Sequence, residues 1–378
     1  QLPLERFSGL ERGRVLGRVS MALPFSEPEP PLGYRSRAQI RAIEAHFAKR
    51  QVPESQPNRL LLASWNIANL GAQKRPRRAH TVIAHILDRF DLIAVQEVND
   101  NYRDFVDIVE RLGGEFDFVL SDTAGNDERL AFVYRKNKVE LRNLFGEVAL
   151  RPREYPRRNV RVHYRQNRRD RVSTLKNFRF VPFDRNPFIG SFQSGAVDFV
   201  LANVHLYFGS FQHSARTEKL RKKYARRVLE IHALAKWART RSEGGNALDR
   251  DIVLLGDMNI PNMDKNEATI TALQEFGWRS VDIVDEDHIG TRPQDLSHIG
   301  GTNLGNDKTY DQIAFAPESL GGRVTGHGVF DFDNAVFSSK WREISSQLTH
   351  VRAVSLFNRY VKFHISDHRP IWVELKTD

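Results

Sequence analysis

The stretch Asp251–Pro261, D-I-V-L-L-G-D-M-N-I-P, constrains the fold more than any other part of this sequence. Its apolar run Ile252–Leu255 has the length and composition of a strand that is buried on both faces. Asp257 and Asn259 follow Gly256 at a spacing of two, so their side chains lie on the same side of an extended chain. A carboxylate beside a carboxamide suits a hard cation and a phosphate oxygen. The alternative is a strand-end turn in which both side chains bond only to the backbone.

The same arrangement recurs along the chain, because other short apolar runs also end in polar groups. The predicted strands include Leu60–Ser64 before Asn66, Asp91–Val95 before Glu97, Val197–Leu206 with His205, Thr309–Ala316 with Asp311, and Ile371–Leu375 after Asp367 and His368. Amphipathic helices are predicted between them at Ala79–Phe90, Asn101–Leu112, Lys265–Phe276 and, capped by Ser214, at Ser214–Thr240. This alternation predicts a layered α/β fold with helices outside a sheet core. Functional groups are expected where strands end and loops begin.

The 378 residues are enough for one large domain or two small ones. We expect an N-terminal extension at 1–58, with a Pro-rich spacer and a helix at Tyr34–Arg50, followed by a main domain at 59–378.

No apolar run approaches the ~20 residues that span a bilayer. The lack of a secretory signal favours the cytoplasm, and secretion would require a leader removed before Gln1. The absence of Cys excludes disulfides, thiolate nucleophiles and Cys-ligated zinc.

The net charge of +10 and a sequence pI of about 9.8 favour a polyanionic partner. Arginine is concentrated in Arg151–Arg171, where Tyr155, His163 and Tyr164 are interleaved. Arginine and aromatic side chains together suit backbone phosphates and stacked bases. We therefore predict a basic insertion at about 139–177, part loop and part ribbon; the alternative is a solvated or disordered charged face. The arginines expected to contact nucleic acid are Arg157, Arg158, Arg161, Arg165, Arg168 and Arg169.

The polar strand ends form one chemical inventory. Glu97 and Asp257 offer carboxylates to a divalent metal, and a donor set that is mostly oxygen fits Mg²⁺ or Mn²⁺ better than zinc. His205 and His368 suit proton transfer and the holding of phosphate oxygens. A neighbouring carboxylate orients a catalytic histidine and raises its pKa. Metal-assisted attack of water on a phosphodiester would use a cation, a base, an acid and amide donors.

Two further carboxylates are candidates for orienting these histidines, namely Asp311 and Glu128. A lone histidine is more often a hydrogen-bonded structural residue than a catalytic one, and a short motif by itself carries little weight. The prediction of a site therefore depends on the whole set of strand ends converging in one pocket.

Six short motifs occur in order between Leu60 and Leu375. They are W-N-I at Trp65–Ile67, Q-E at Gln96–Glu97, N-V-H at Asn203–His205, G-D-M-N at Gly256–Asn259, Y-D-Q-I at Tyr310–Ile313 and S-D-H-R-P at Ser366–Pro370. Each is weak alone, but the ordered set resembles the endonuclease/exonuclease/phosphatase superfamily, and its deoxyribonuclease I-like branch most.

The resemblance implies a four-layer α/β sandwich, in which two mainly antiparallel sheets pack face to face with helices outside. It implies metal ligands at Asn66 and Glu97, with Asp367 nearby. It implies roles for the remaining residues as follows: a water-orienting carboxylate at Asp257, a phosphate-holding amide at Asn259, catalytic histidines at His205 and His368, their carboxylate partners at Glu128 and Asp311, and a phosphate-contacting guanidinium at Arg185.

The sequence departs from that branch at one notable position. Asn126 stands where the deoxyribonuclease I-like enzymes have a Tyr, which weakens the case for a minor-groove contact. The tyrosine-containing segment of abasic-site endonucleases is also not visible, which argues against abasic-site repair.

The function predicted from the sequence is a metal-dependent phosphodiesterase, specifically a DNA endonuclease. One alternative is a phosphoesterase for a phosphoinositide, sphingomyelin or a small phosphodiester, because the loops choose what carries the phosphate. A non-catalytic binding module is a third possibility, but it would require lost site residues, and none is lost.

Overall fold

The computed structural model describes residues 25–245, 247–264, 267–282, 299–316 and 319–378. The helices in this part of the chain are α1 (Ser36–Lys49), α2 (Arg77–Leu87), α3 (Arg103–Leu112), α4 (Glu218–Ser242), α5 (Ala268–Gln274), α6 (Ser338–Gln347) and α7 (His350–His364). The strands are β1 (Arg59–Leu70), β2 (Leu92–Asn99), β3 (Phe116–Leu120), β4 (Glu128–Arg135), β5 (Glu140–Glu147), β6 (Arg157–Gln166), β7 (Arg169–Arg179), β8 (Phe188–Ser194), β9 (Val197–His205), β10 (Ile252–Asp257), β11 (Arg279–Ser280), β12 (Asp311–Phe315), β13 (Val324–Val329) and β14 (Ile371–Lys376). None of the described helices combines the length and apolar character that a membrane crossing requires.

Two six-stranded sheets form the centre of the molecule. Their strand orders are β13-β14-β1-β2-β4-β3 and β11-β12-β10-β9-β8-β5. Only the β1–β2 and β9–β10 pairs are parallel among the described ladders, and the others are antiparallel. In each parallel pair the carboxyl ends of two strands meet at the same edge, which brings their terminal side chains together.

Three apolar clusters separate four layers. Side chains of both sheets, such as Leu62 and Val253, form the middle cluster. Phe47 of α1 and Phe357 of α7 belong to the cluster that covers the outer face of the first sheet. Leu229 of α4 belongs to the cluster on the outer face of the second sheet. The predicted four-layer α/β sandwich is therefore confirmed.

The helix of the N-terminal extension packs on this body. Ile43 and Phe47 are buried against the helices of the first sheet. His46 Nε2 and Arg50 Nε each lie 2.7 Å from Asp331 Oδ1. The Asp331 side chain in this ion-pair cluster is fully buried. Breaking such a buried cluster leaves an uncompensated charge, so it fixes the position of α1 strongly.

Helix α4 begins four residues later than predicted. The prediction placed its cap at Ser214, but Thr217 is the capping residue, since its Oγ1 accepts from the Leu220 N–H at 3.2 Å. The Ser214 N–H instead donates to the Phe211 carbonyl in a turn. Ser is the better cap by sequence, but Ser214 lies in the preceding turn, which leaves Thr217 as the cap.

Two other parts of the chain were not predicted in this form. Residues 140–147 fall inside the predicted basic insertion, but they form β5, the edge strand of the second sheet. Helix α7 was not predicted, although it buries Ala353, Phe357 and Tyr360 on one face. The predicted helix Lys265–Phe276 corresponds to α5, and its first two residues lie outside the described part of the chain.

The basic insertion itself is a two-stranded ribbon, β6–β7, apart from both sheets. Val160 and Val162 on one of its faces are buried in the cluster that also contains Tyr224 and Val228 of α4. The ribbon is therefore fixed along α4, rather than being a mobile charged tail.

The buried His364 of α7 makes folding stability depend on pH. Its Nε2 lies 2.9 Å from Glu27 Oε1, and burial lowers the pKa of His364 from 6.5 to about 4 against the opposing effect of Glu27. Because the folded pKa lies below the unfolded one, this histidine stabilises the fold fully above pH 6.5, and the contribution is lost as the pH falls through about 4. The difference is worth on the order of 3 kcal/mol.

We expect His364→Gln to reduce by about one the number of protons taken up on unfolding between pH 6.5 and 4. The measurement is the free energy of urea unfolding across that pH range. His327→Gln, at an exposed position of β13, is the matched control. An unchanged pH slope in His364→Gln would contradict the assignment.

Candidate active site

The two parallel strand pairs deliver four polar side chains to one place. Asn66 comes from β1, Glu97 from β2, His205 from the end of β9 and Asp257 from the end of β10. Asn66 Nδ2 donates to Glu97 Oε1 at 2.9 Å and to Asp257 Oδ2 at 3.1 Å. The amide thus joins the first sheet to the second across the middle of the sandwich.

Asp257 lies between the two predicted catalytic histidines. Its Oδ2 is 3.6 Å from His205 Nε2 and 3.7 Å from His368 Nε2. Both imidazoles therefore face one carboxylate, from different elements of the chain. The structure brings together residues that are 163 positions apart along the sequence, from His205 to His368.

Glu97 is held in an unusual backbone conformation, with φ of 61°. Its Oε2 accepts from the Asn69 N–H at 2.7 Å, and Asn69 itself has φ of 52°. A non-Gly residue in the left-handed region costs free energy and persists where its surroundings require it. The Glu97 carboxylate is therefore held in the site at a cost in backbone conformational free energy.

His205 is held by a buried group of charges. Its Nδ1 lies 2.9 Å from Glu128 Oε2, and Arg185 Nη2 donates to Nε2 at 3.0 Å. Arg185 Nε lies 2.8 Å from the same Glu128 oxygen. This arrangement requires the neutral imidazole to carry its proton on Nδ1.

The pKa values of this group differ from the expectation for His205. Burial, together with the Arg185 guanidinium, lowers the pKa of His205 to about 4, although Asp257 and Glu97 oppose this. Burial also raises the pKa of Glu128 to about 7, partly offset by Arg185. We expected a carboxylate partner to raise the pKa of His205; instead Arg185 and burial outweigh it. His205 is therefore unprotonated at neutral pH, and its Nε2 accepts from Arg185.

His368 has the opposite environment. Its Nδ1 lies 2.9 Å from Asp311 Oδ2, which also accepts from Thr302 Oγ1 at 2.6 Å. Burial alone would lower the pKa of His368, but Asp311 and Asp257 outweigh it and hold that pKa well above 6.5. His368 is therefore protonated at neutral pH, and the two histidines are suited to opposite roles in proton transfer.

Asp367, the third predicted metal ligand, is paired with a lysine. Its Oδ2 accepts from Lys362 Nζ at 2.5 Å. Within the described residues, no hydrogen bond or ion pair joins Asp367 to Asn66 or Glu97. It lines a pocket of about 280 Å³ together with His368, Tyr310 and Lys362.

Asn259 contributes backbone and side-chain contacts that shape the site. Its N–H donates to Asp257 Oδ1 at 2.9 Å, and its Nδ2 donates to the Leu206 carbonyl at 2.8 Å. Its φ of 54° allows both contacts to form at once. The strand-end turn considered from the sequence is therefore present, and the functional role of Asp257 and Asn259 stays a prediction.

The donor set fits a divalent metal. Asn66 Oδ1 is buried and has no hydrogen-bond partner among the described residues, while its amide nitrogen serves Glu97 and Asp257. A buried oxygen without a partner is costly, and an oxygen-rich group is what Mg²⁺ and Mn²⁺ prefer. A second group of possible ligands, Asp257, Asp311 and His368, has its ligand atoms within 4.8 Å of one another.

The arginines of the ribbon differ in their exposure and in their ion pairs. Arg158 Nη1 contacts Glu275 and lies 2.6 Å from His232 Nδ1, so it faces α4 and α5. The others are exposed and make no ion pair with any described residue; they are Arg157, Arg161, Arg165, Arg168 and Arg169. The Arg165 N–H donates to the His213 carbonyl at 3.3 Å, in the segment that follows His205. The tip of the ribbon therefore lies at the same end of the sandwich as the site.

Sequence reasoning did not single out three residues that shape the site. Thr302 lies in a polar loop and bonds to Asp311, and Lys362 lies on the unpredicted α7. Arg227 belongs to the basic helix α4, but it is fully buried and donates to the Asn259 carbonyl at 3.0 Å. Only the apolar neighbours of Arg227 in α4 could have indicated that it points inward.

A protein-family model matches most of the chain. The family model described as "Endonuclease/Exonuclease/phosphatase family" matches residues 63–368. A search of curated protein sequences finds no match. Similar solved structures include an endonuclease/exonuclease/phosphatase family protein from Bacteroides thetaiotaomicron, with 17% identity, TM-score 0.45, and coverage of 86% of this chain and 100% of that one.

Two further similar structures are the human Nocturnin catalytic domain with bound sulfate anion and truncated Caenorhabditis elegans TDP2. The former has 15% identity, TM-score 0.46, and coverage of 85% of this chain and 94% of that one. The latter has 15% identity, TM-score 0.43, and coverage of 84% and 97%. Because the family model matches residues 63–368, which is most of this chain, the chain belongs to the endonuclease/exonuclease/phosphatase family, whose members hydrolyse phosphoester bonds and generally depend on a divalent metal.

Proposed function

We propose that this protein is a Mg²⁺- or Mn²⁺-dependent nuclease that hydrolyses the phosphodiester bonds of DNA. The observation that carries the proposal is the placement of two histidines with opposite proton affinities on either side of Asp257. Hydrolysis of a phosphodiester needs a proton acceptor for the attacking water and a proton donor for the leaving oxygen. The site holds one candidate for each role within 4 Å of Asp257 Oδ2.

The residues divide these tasks as follows. His205 is the candidate acceptor, and Arg185 bonds to its Nε2. A substrate phosphate would draw the Arg185 guanidinium towards itself, which would free Nε2 for a proton. His368 is the candidate donor to the leaving oxygen, and Asp311 orients it.

Asn66 and Glu97 are the candidate metal ligands. A bound divalent ion would supply positive charge next to the phosphoryl oxygens. Asp257 would orient water, because its Oδ2 contacts Asn66 and faces both histidines. Asn259, whose N–H donates to Asp257 Oδ1, would hold a phosphate oxygen. Asp367 is proposed as a ligand only in a state in which Lys362 releases it.

The choice of DNA as substrate rests on charge. The exposed arginines of the ribbon tip, Arg165, Arg168 and Arg169, lie at the end of the sandwich where the site opens. Guanidinium groups without acidic partners are available to backbone phosphates. Each phosphate that is neutralised adds about 0.9 to the slope of log affinity against log salt.

The decisive experiment is the incubation of supercoiled plasmid with the purified protein and Mg²⁺ or Mn²⁺, with and without a chelator. We expect nicked and then linear DNA only when metal is present. Failure to cut DNA while a phosphoinositide, sphingomyelin or another small phosphoester is hydrolysed would reject the proposal. Loss of all turnover on every such substrate would instead support a binding module.

The role of the ribbon is tested separately by replacing Arg165, Arg168 and Arg169 with alanine. We expect the salt slope of DNA binding to fall by about one for each arginine that contacts a phosphate. The matched control replaces three exposed arginines of α1 and α6, namely Arg37, Arg41 and Arg342, on the helices of the first sheet. Equal loss in both triple variants would assign the effect to net charge alone.

A further inference from the structure

An exposed aromatic side chain lies beside the candidate active site. Phe208 is 46% exposed although it follows His205 by only three residues. Its ring packs edge-on against Phe211, with centroids 5.4 Å apart, and against Tyr310, at 6.2 Å. Phe211 and Tyr310 lie nearly parallel, at 6.4 Å and 26°. These three rings, Phe208, Phe211 and Tyr310, are called the aromatic platform below.

The aromatic platform is fixed relative to the candidate catalytic groups. The Tyr310 ring lies 5.9 Å from the His368 ring. The buried Arg227 guanidinium lies 5.0 Å from the Phe208 ring centre and 5.2 Å from that of Phe211. The same guanidinium donates to the carbonyls of Asn259 and Phe208. One buried cation thus ties the platform to the turn that carries Asn259.

Positive charge continues from the platform to the ribbon. Lys308 Nζ lies 5.9 Å from the centre of the Phe211 ring. Beyond Phe211, the chain reaches His213, whose carbonyl accepts from the Arg165 N–H at 3.3 Å. At the same place the Arg221 guanidinium lies 5.0 Å from the centre of the Tyr164 ring. A strand that leaves the site over the platform would therefore meet cations and aromatic rings in turn.

Building on the nuclease function above, we propose that the aromatic platform stacks an unpaired base next to the scissile phosphate, so that the enzyme prefers single-stranded DNA to duplex. A base inside a duplex is stacked on both faces, whereas an unpaired base has a face free for Phe208. Base–aromatic stacking needs no particular base, so the preference is for strandedness rather than for sequence. Within the described residues, Phe208 is the one large apolar side chain exposed between β9 and α4, which fits one base better than a lipid surface.

The test compares Phe208→Ala, Phe208→Leu and Phe208→Tyr on a labelled single-stranded oligonucleotide and on its duplex. We expect Phe208→Ala and Phe208→Leu to raise KM for the single strand by about 5- to 150-fold, with kcat nearly unchanged. Phe208→Tyr should retain activity, because it keeps the ring. On duplex all variants should resemble the wild type. Leu141→Ala, at a 39% exposed position on β5, is the control for loss of an exposed apolar side chain.

A second measurement separates stacking from other effects. A single strand that carries abasic nucleotides around the cleavage position should lose affinity for the wild type by the same factor, and Phe208→Ala should add no further loss on that strand. The inference is overturned if Phe208→Leu equals the wild type, if the loss persists on abasic DNA, or if Phe208→Ala weakens binding to phosphatidylserine vesicles but not to the single strand.

The two proposals fail in distinguishable ways. A wild-type protein that cuts DNA, with equal efficiency on both forms and no effect of Phe208→Ala, rejects only the platform. A wild-type protein that cuts neither form while it hydrolyses another phosphoester rejects the nuclease function and the platform together.

Discussion

Replacing His368 with alanine is expected to lower kcat for phosphodiester cleavage by about 10²- to 10⁴-fold, the range for loss of a positioned general acid or base. His368 combines a raised pKa with a fixed orientation, because Asp311 holds its Nδ1 and Asp257 faces its Nε2. The measurement is single-turnover cleavage of a defined oligonucleotide at saturating metal. His205→Ala should fall in the same range, since it removes the other member of the pair.

Two variants control for effects on the fold. His364→Gln changes a buried histidine of the neighbouring α7 and should keep kcat near the wild-type value. Thr302→Val removes a hydrogen bond to Asp311 without touching His368, so its loss of kcat should be smaller than that of His368→Ala. If neither His368→Ala nor His205→Ala changes turnover, the assignment of roles in this site is wrong.

The second large effect is expected from Glu97→Gln. This change keeps the size of the side chain and removes the negative charge nearest to Asn66. Loss of a charged oxygen ligand should weaken Mn²⁺ binding at least about tenfold, since even residues that only support ligands cost 10- to 100-fold. Mn²⁺ binding is measured by calorimetry or by the electron paramagnetic resonance signal of the free ion. The dependence of cleavage on metal concentration is measured alongside it.

Glu128→Gln is the matched control for Glu97→Gln. Glu128 contacts His205 and Arg185 rather than Asn66, so its variant should slow cleavage while Mn²⁺ affinity stays near the wild-type value. Unchanged Mn²⁺ affinity in Glu97→Gln, in a protein that still binds the ion, would place the metal elsewhere. The group Asp257, Asp311 and His368 would then be the next candidate.

The strands that carry the site were predictable, because a continuous apolar run such as Ile252–Leu255 has one favourable place, the interior of a covered sheet. The first residues of the helices were less predictable. Ser214 is the better cap by residue type, but the turn at Phe211 leaves Thr217 as the cap. Helix α7 was missed although Ala353, Phe357 and Tyr360 have helical spacing and are buried on one face.

Within the site, too, some features could be predicted from the sequence and others could not. The motif order indicated His205 and His368, but sequence could not give the sign of their pKa shifts. Arg185 and burial lower one, whereas Asp311 and Asp257 raise the other. These effects depend on distances of 3 to 4 Å between residues that are far apart along the chain, and local propensity holds no information about such distances.

The sequence by itself determined the layered α/β class, the inventory of oxygen and imidazole donors at strand ends, and the basic ribbon, because apolar periodicity and composition are local properties. Only the tertiary structure decided that Lys362 holds Asp367, that Arg227 is buried under Phe208, and that the ribbon bonds to the segment around His213. Each of these depends on the packing of helices onto the sheets, which is set by the shapes of many side chains at once.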